Sequence, residues 1–358
     1  MKSADPKTDD GQWVYLDPFL VDRMRLNLGL SRKQLAGNAS LSMNTLKEVF
    51  EGAGVRASTA GVLATRFGCK VTDLLSPRDP RYVPPTAPGP LVGESEWTTD
   101  GYLEQGRLAS NGLYYIVCRM QHRHTAGRRG RGKFYHLSWL PPKIRDACRE
   151  KLSRHADVCF RVGHHRQIAH NLSSTPVTGG EGWWVIDEWV GEQTLADRLT
   201  VGPWPAADLP RLLLDVAQGL AALHAVGVVF RELAPARVLI ADQDGRAVLT
   251  DFELAKLLDG SPSVSSEWPE DPYRAPEVEG GSATVPSDLY SFGKLALAAA
   301  AGGLVDDATT PVVLGKAGVP KRLARYMVDC LEPFPEKRFS DFAVLLKELT
   351  RWAEKGIS

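Results

Sequence analysis

Cysteine is scarce and unpatterned in this chain: Cys69, Cys118, Cys148, Cys159 and Cys330 are five in number, scattered, and form no C-x-x-C pair. Their spacing excludes a disulfide framework or a zinc cluster as the organising feature and leaves reduced, partly buried thiols. No uninterrupted apolar run reaches the roughly 18 residues of a membrane-span candidate, and Met1 to Gly11 are polar and acidic with no apolar signal segment. A soluble, cytoplasmic chain without a membrane partner is therefore expected. An excess of one charge is missing too, with 43 Lys and Arg against 43 Asp and Glu. This balance argues against nonspecific coating of nucleic acid, so any such contact must be local. What remains is globular in composition, 43% hydrophobic and 24% charged over 358 residues. That length accommodates more than one core, at roughly 100 to 200 residues per domain.

Between residues 18 and 75, apolar positions fall in short helical clusters such as Leu20, Met24 and Leu28, then Leu46, Val49 and Phe50. Glycines (Gly29, Gly37, Gly54) or polar starts (Ser31, Ser42, Ser58) separate them. The order Leu30 to Ala36 followed by Leu41 to Val49 resembles the helix-turn-helix of phage-repressor-type (XRE-like) regulators, and Arg66 to Leu75 resembles that family's closing helix. The resemblance implies an all-α domain over residues 18 to 76, after a tail at 1 to 17. Its second motif helix would face the major groove, with Gln34 on the DNA backbone and Ser42, Met43, Asn44 and Lys47 toward bases. Duplex DNA, bound as a dimer on a two-fold site, is the partner so implied. Eight Lys and Arg against four Asp and Glu in this stretch permit phosphate contact. A helical protein-docking module is the plainer alternative.

Residues 77 to 101 carry Pro77, Pro80, Pro84, Pro85, Pro88 and Pro90, which interrupt backbone donation and favour extended conformations, as in a semi-rigid linker. Further on, Arg119, His122, Arg123, His124, Arg128, Arg129, Arg131 and Lys133, interspersed with Gly127, Gly130 and Gly132, read as a basic loop: a solvated hairpin tip, or a finger for phosphates or an acidic partner.

The stretch Leu223-His224-Ala225-Val226-Gly227, then Phe230-Arg231-Glu232-Leu233-Ala234-Pro235-Ala236-Arg237, then Asp251-Phe252-Glu253 resembles the centre of a eukaryotic-type Ser/Thr protein kinase. There the corresponding motifs read Leu-His-x-x-Gly, His-Arg-Asp-Leu-Lys-Pro-x-Asn and Asp-Phe-Gly. Tyr273-Arg274-Ala275-Pro276-Glu277, Ser287-Asp288-Leu289-Tyr290-Ser291-Phe292-Gly293 and the late Arg338 match further anchors: Glu277 would pair with Arg338, and Asp288 would brace the catalytic loop. The resemblance implies a bilobal α+β domain, with a β-rich small lobe at 102 to 190 and an α-rich large lobe at 191 to 354. Serines 261, 263, 265 and 266 fall in the segment that follows Asp251-Phe252-Glu253.

The family's chemistry is positioning plus charge stabilisation: an aspartate orients the acceptor hydroxyl, lysines neutralise phosphate, and an asparagine and an aspartate hold magnesium. Here those places read Glu232, Ala234, Arg237 and Asp251. The glycine loop keeps only Gly106 or Gly112 in register, and alignment of the third strand on His136 to Pro142 puts Ser138 at its lysine. The helix that should supply the lysine's glutamate partner shows no acid between Phe160 and Ala169. A guanidinium has no lone pair to offer a metal, so no metal and no cofactor are expected, and Arg237 is expected to pair with Asp251, or with Glu232 or Glu253 if the segment is twisted, in the metal's place. The reading that follows is a cytoplasmic regulator with a DNA-binding domain and an inactive pseudokinase that binds a protein partner or small effector. The alternatives are an atypical Ser/Thr kinase working through Glu232 and Asp251, and an adaptor that binds no DNA.

Overall fold

The computed structural model describes residues 13–76, 78–82, 96–108, 113–137, 142–177, 182–259, 271–280 and 283–355. Gly112, Ser138 and the serines at 261, 263, 265 and 266 lie outside them, as does most of the proline-rich stretch. Among the described residues no helix is long and apolar enough to cross a membrane.

The N-terminal unit runs β1 (Trp13–Tyr15), α1 (Pro18–Asn27), α2 (Arg32–Asn38), α3 (Met43–Phe50), β2 (Gly54–Arg56) and α4 (Ala57–Phe67). It is mostly helical but not all-α, because β1 pairs antiparallel with β2, Val14 opposite Val55. The expected tail therefore contributes a strand and the buried side chains of Val14, Leu16 and Asp17. Residues expected to begin the linker fold back onto that strand: Asp79 accepts from the Tyr15 amide at 2.9 Å, and the Arg81 guanidinium donates to the Trp13 carbonyl. α2 and α3 start where Ser31 and Ser42 accept amide bonds from Gln34 and Thr45, which satisfies donors a bare helix end leaves open.

The second unit begins at Trp97, earlier than the proline pattern implied. Strands β3 (Trp97–Leu108), β4 (Tyr114–His122), β5 (Arg129–His136), β6 (Asn171–Pro176) and β7 (Gly182–Glu188) form one antiparallel sheet in the order β3-β4-β5-β7-β6, with α5 (Pro142–Val162) between β5 and β6 in sequence. Side chains alternate across a strand, and both faces here are buried. Ile116, Cys118, Met120, Phe134, Trp184 and Ile186 form one cluster; Tyr115, Val117, Tyr135 and Val185 belong to another that also holds the core of the N-terminal unit. On α5, Cys148, Leu152, His155 and Cys159 are buried at helical spacing.

The basic-loop expectation is corrected here. Most of that segment is strand, with only residues 123 to 128 turning between β4 and β5. Its glycines serve close packing, for a Cβ at Gly132 would sit 2.6 Å from Met120 Cγ and one at Gly130 would sit 3.0 Å from the Asp187 carbonyl. Gly130 and Gly132 face one side of β5; Arg131, Lys133 and Tyr135 face the other.

The large lobe is helical: α6 (Leu195–Leu199), α7 (Leu209–Ala225), α8 (Val285–Ala301), α9 (Thr310–Lys316), α10 (Lys321–Cys330) and α11 (Ala343–Lys355). Leu209, Leu212, Leu213, Val216, Leu220 and Leu223 bury the face of α7 that the apolar spacing marks. Two short antiparallel ladders, β8 (Val228–Val229) with β11 (Lys256–Leu257) and β9 (Val238–Ile240) with β10 (Ala247–Leu249), frame the loops that carry Glu232, Arg237 and Asp251.

Candidate active site

The loop after β8 is set by one carboxylate. Asp288 is fully buried on α8 and accepts from the amides of Phe230 and Arg231, each at 2.8 Å, and contacts His224 Nε2 at 2.8 Å. Arg231 takes φ +72°, which a non-glycine residue adopts only under local constraint, and the bonds to Asp288 supply it. Glu277 meets Arg338 as a two-pronged pair, Nη1 to Oε1 at 2.7 Å and Nη2 to Oε2 at 2.9 Å, the strong geometry for these groups. With that pair formed, Arg338 holds the Glu277 carboxyl below its usual range although burial opposes ionisation.

Lys133, on β5, points into the cleft between the lobes. Its ammonium lies 2.9 Å from Asp251 Oδ2 and 3.6 Å from Glu253 Oε1, with the Tyr115 ring centre 4.3 Å away. Arg237 Nη1 lies 2.7 Å from that same Asp251 oxygen, and its Nη2 lies 3.7 Å from Glu232 Oε2. Tyr135 donates to Glu253 at 2.5 Å. Burial disfavours charge at Lys133, Arg237 and Asp251, yet attraction outweighs it. Lys133 and Arg237 bind their protons more tightly than usual, and the Asp251 carboxyl is held well below the carboxylate range. The space between the lobes, lined by Tyr115, Val117, Arg131, Lys133, Asp187 and Asp251 among others, is nearly filled by these side chains, its cavity measuring about 20 Å³.

The lysine was therefore misplaced by sequence reasoning: it is Lys133, whereas Ser138 lies two residues beyond the end of β5 and outside the described residues. The signal was present in Arg129-Gly130-Arg131-Gly132-Lys133-Phe134-Tyr135, but its glycines and arginines read as a loop. α5 carries Asp146, Glu150 and Asp157, yet the acids paired with Lys133 are Asp251 and, where the family has glycine, Glu253. α5 is tied in by His155, whose Nε2 bonds Asp187 at 2.9 Å while its Nδ1 accepts the Phe252 amide at 3.1 Å. An acceptor at Nδ1 makes this imidazole neutral with its proton on Nε2. The Phe252 ring stacks on it with centres 5.4 Å apart.

Arg237 occupies the place expected of it, against Asp251. A divalent metal does not fit this donor set, because one ligand position is a guanidinium and Asp251 Oδ2 is already shared by two cations. Ala234 begins the turn Pro235–Arg237 and brings no charge. Gly106 lies within β3. In the N-terminal unit, Gln34 and Ser42 have polar atoms engaged in helix caps, Met43 and Asn44 are exposed, and Lys47 lies 3.6 Å from Glu51. Among the described residues, their hydrogen bonds and ion pairs stay within the N-terminal unit, and none reaches the Asp251 cluster.

Comparison with known proteins agrees with this geometry. The protein kinase domain model matches residues 149–349, a little over half the chain. The chain belongs to the protein kinase domain family. Serine/threonine-protein kinase C of Synechocystis sp. is 25% identical over 224 residues, which cover 58% of this chain and 42% of that protein. Serine/threonine-protein kinase pkn2 of Myxococcus xanthus is 37% identical over 137 residues, covering 36% and 16%. PkaB of Streptomyces coelicolor, also a serine/threonine-protein kinase, is 32% identical over 163 residues, 38% of each chain. The chain thus spans less than half the length of these relatives. Among solved structures, the kinase domain of Mycobacterium tuberculosis PknI aligns with a TM-score of 0.54 at 20% identity, over 76% of this chain and all of that one, a likeness of fold.

The kinase match begins inside α5, so the role of Lys133 comes from the structure. The pseudokinase reading is corrected by both findings. The similar proteins carry the names of Ser/Thr kinases, and the cleft holds a buried lysine, Lys133, within ion-pair distance of Asp251 and Glu253.

The low proton affinity of Asp251 has a consequence for acid stability. A carboxyl whose folded pKa lies below its unfolded value of about 3.9 contributes stability that is complete above that value. The contribution is lost as pH falls toward the folded value. Removing this titration with Asp251→Asn should flatten the decline of unfolding free energy below about pH 4. Denaturant melts across pH 2 to 7 would read it, and parallel curves for the two proteins would contradict it.

Proposed function

We propose that this chain is an atypical Ser/Thr protein kinase whose working residues are Lys133, Glu232, Arg237, Asp251 and Glu253. The observation that carries the reading is the Lys133 ammonium 2.9 Å from Asp251 and 3.6 Å from Glu253. A buried cation in the interlobe cleft serves charge stabilisation, the main requirement of phosphoryl transfer. The names of the similar proteins support a serine or threonine hydroxyl as the acceptor.

In this reading the acceptor oxygen bonds to the γ-phosphorus of ATP, the bond from that phosphorus to the departing ADP oxygen breaks, and the hydroxyl proton passes to Glu232. Lys133 and Arg237 face the phosphate charge. Glu253, itself bonded by Tyr135, holds Lys133 in place. A glutamate one methylene longer than the usual aspartate gives a slower enzyme, since a misplacement of about 1 Å costs about 100-fold.

Transfer of labelled γ-phosphate to the protein itself or to a mixed Ser/Thr peptide library tests the reading. Glu232→Gln should lower the rate by roughly 10² to 10⁴, the range for a lost general base, with little change in nucleotide affinity. No transfer by the wild-type protein, or an unchanged rate in Glu232→Gln, would contradict it.

Duplex DNA is proposed as the partner of the N-terminal unit. The exposed placement of Met43 and Asn44 at the start of α3, outside the core, supports this. Binding in a gel shift should fall steeply with salt, as phosphate neutralisation requires. Asn44→Ala should weaken the preferred sequence by about 1 to 3 kcal/mol if it reads a base. Absence of any shift at low salt would favour protein docking by this unit.

A further inference from the structure

We infer that this kinase binds the polyphosphate of its nucleotide without a divalent cation, Arg237 supplying the positive charge that a metal ion otherwise brings; the inference rests on the kinase reading above. Asp251 Oδ2 is the point on which it turns. Two fixed cations, Lys133 Nζ at 2.9 Å and Arg237 Nη1 at 2.7 Å, already share that one oxygen. A metal ion entering there would meet both at close range and would have to displace at least one.

The residue opposite Asp251 compounds the obstacle. Arg237 is all donor, so it cannot ligate a metal, whereas a carboxamide at that position could. Among the described residues, no group of three or more His, Cys, Asp or Glu is arranged to hold a metal ion elsewhere. The site instead holds three carboxylates, Glu232, Asp251 and Glu253, against two cations, and both cations are buried side chains that keep their protons.

A guanidinium fork matches phosphate oxygens as well as carboxylate oxygens. When a polyphosphate arrives, it can take over the contacts that Asp251 and Glu232 make with Arg237. Turning Arg237 onto phosphate would also lift its Nη2 from Glu232 Oε2, now 3.7 Å away. The carboxylate proposed to accept the hydroxyl proton is thus uncovered by the same movement that binds the nucleotide. Arg237 is in this sense a positioning residue as well as a counter-ion.

Calorimetric titration of the full chain with ATP, once in EDTA and once in excess magnesium, tests this without reference to turnover. The dissociation constant in EDTA should be within about threefold of that in magnesium, less than the 1.4 kcal/mol that a tenfold change represents. Arg237→Asn should weaken binding in EDTA by about tenfold or more and recover when magnesium is added. Arg237→Lys, which keeps the charge, should retain binding in EDTA and serves as the check if the asparagine variant does not fold. Wild-type binding that requires magnesium, or an Arg237→Asn variant as indifferent to magnesium as the wild type, would overturn the inference while leaving the kinase reading intact. No ATP binding in either condition would remove both.

Discussion

Asp251 carries one negative charge in the cleft between two lobes, and two buried cations from two different elements converge on it. Lys133 comes from the small-lobe sheet and Arg237 from the large-lobe loop. Leaving any of these charges unpaired in a buried site would cost several kcal/mol, so the three groups hold β5, the turn Pro235–Arg237 and the Asp251-Phe252-Glu253 segment in one arrangement. Asp251 itself takes φ +67°, a left-handed conformation that a non-glycine residue keeps only when its surroundings fix it. The charge cluster provides that fixing on one side and the His155–Phe252 contacts provide it on the other.

The rest of the large lobe keeps this cluster in register. Asp288 sets the backbone of Phe230 and Arg231, and so the start of the loop that presents Glu232 and Arg237. Glu277 and Arg338 join the segment after residue 270 to the C-terminal helices. Asp215, inside α7, accepts from the Ala247 amide and from Gln167, which fastens the helix to the ladder preceding Asp251. Each of these is a buried polar group with specific partners, and such groups specify one geometry because any other leaves them unsatisfied.

Much of the large lobe was legible in the sequence, since its anchors are local strings with fixed side-chain roles. The resemblance assigned Glu277, Asp288 and Arg338 their roles, and it set position 237 opposite Asp251, where the opposite charges of Arg237 and Asp251 predicted their pairing. The small lobe was not legible in the same way. Its strands are defined by pairing with distant partners, and the strongest local cues in β5, alternate glycines among arginines, describe a loop unless one knows that Met120, Trp184 and Asp187 crowd the glycine side. Moving β5 back toward the N-terminus exchanged Ser138 for Lys133 and reversed the conclusion about chemistry. Glu253 stands where the family has glycine, and the proximity of its carboxylate to Lys133 appeared only in three dimensions. His155 was passed over because its partners, Asp187 and the Phe252 amide, lie 32 and 97 residues away.

That Glu253 has taken over as the acidic partner of Lys133 is the claim on which the enzymatic reading stands. A double-mutant cycle on the rate of phosphoryl transfer isolates it, since coupling between two residues is the departure of their combined effect from additivity. Lys133→Met, Glu253→Gln and the double variant would be compared with the wild-type protein at saturating ATP. If the two side chains act as one unit, the double variant should be no slower than Lys133→Met alone. Losses that simply multiply would show that Glu253 does not serve Lys133.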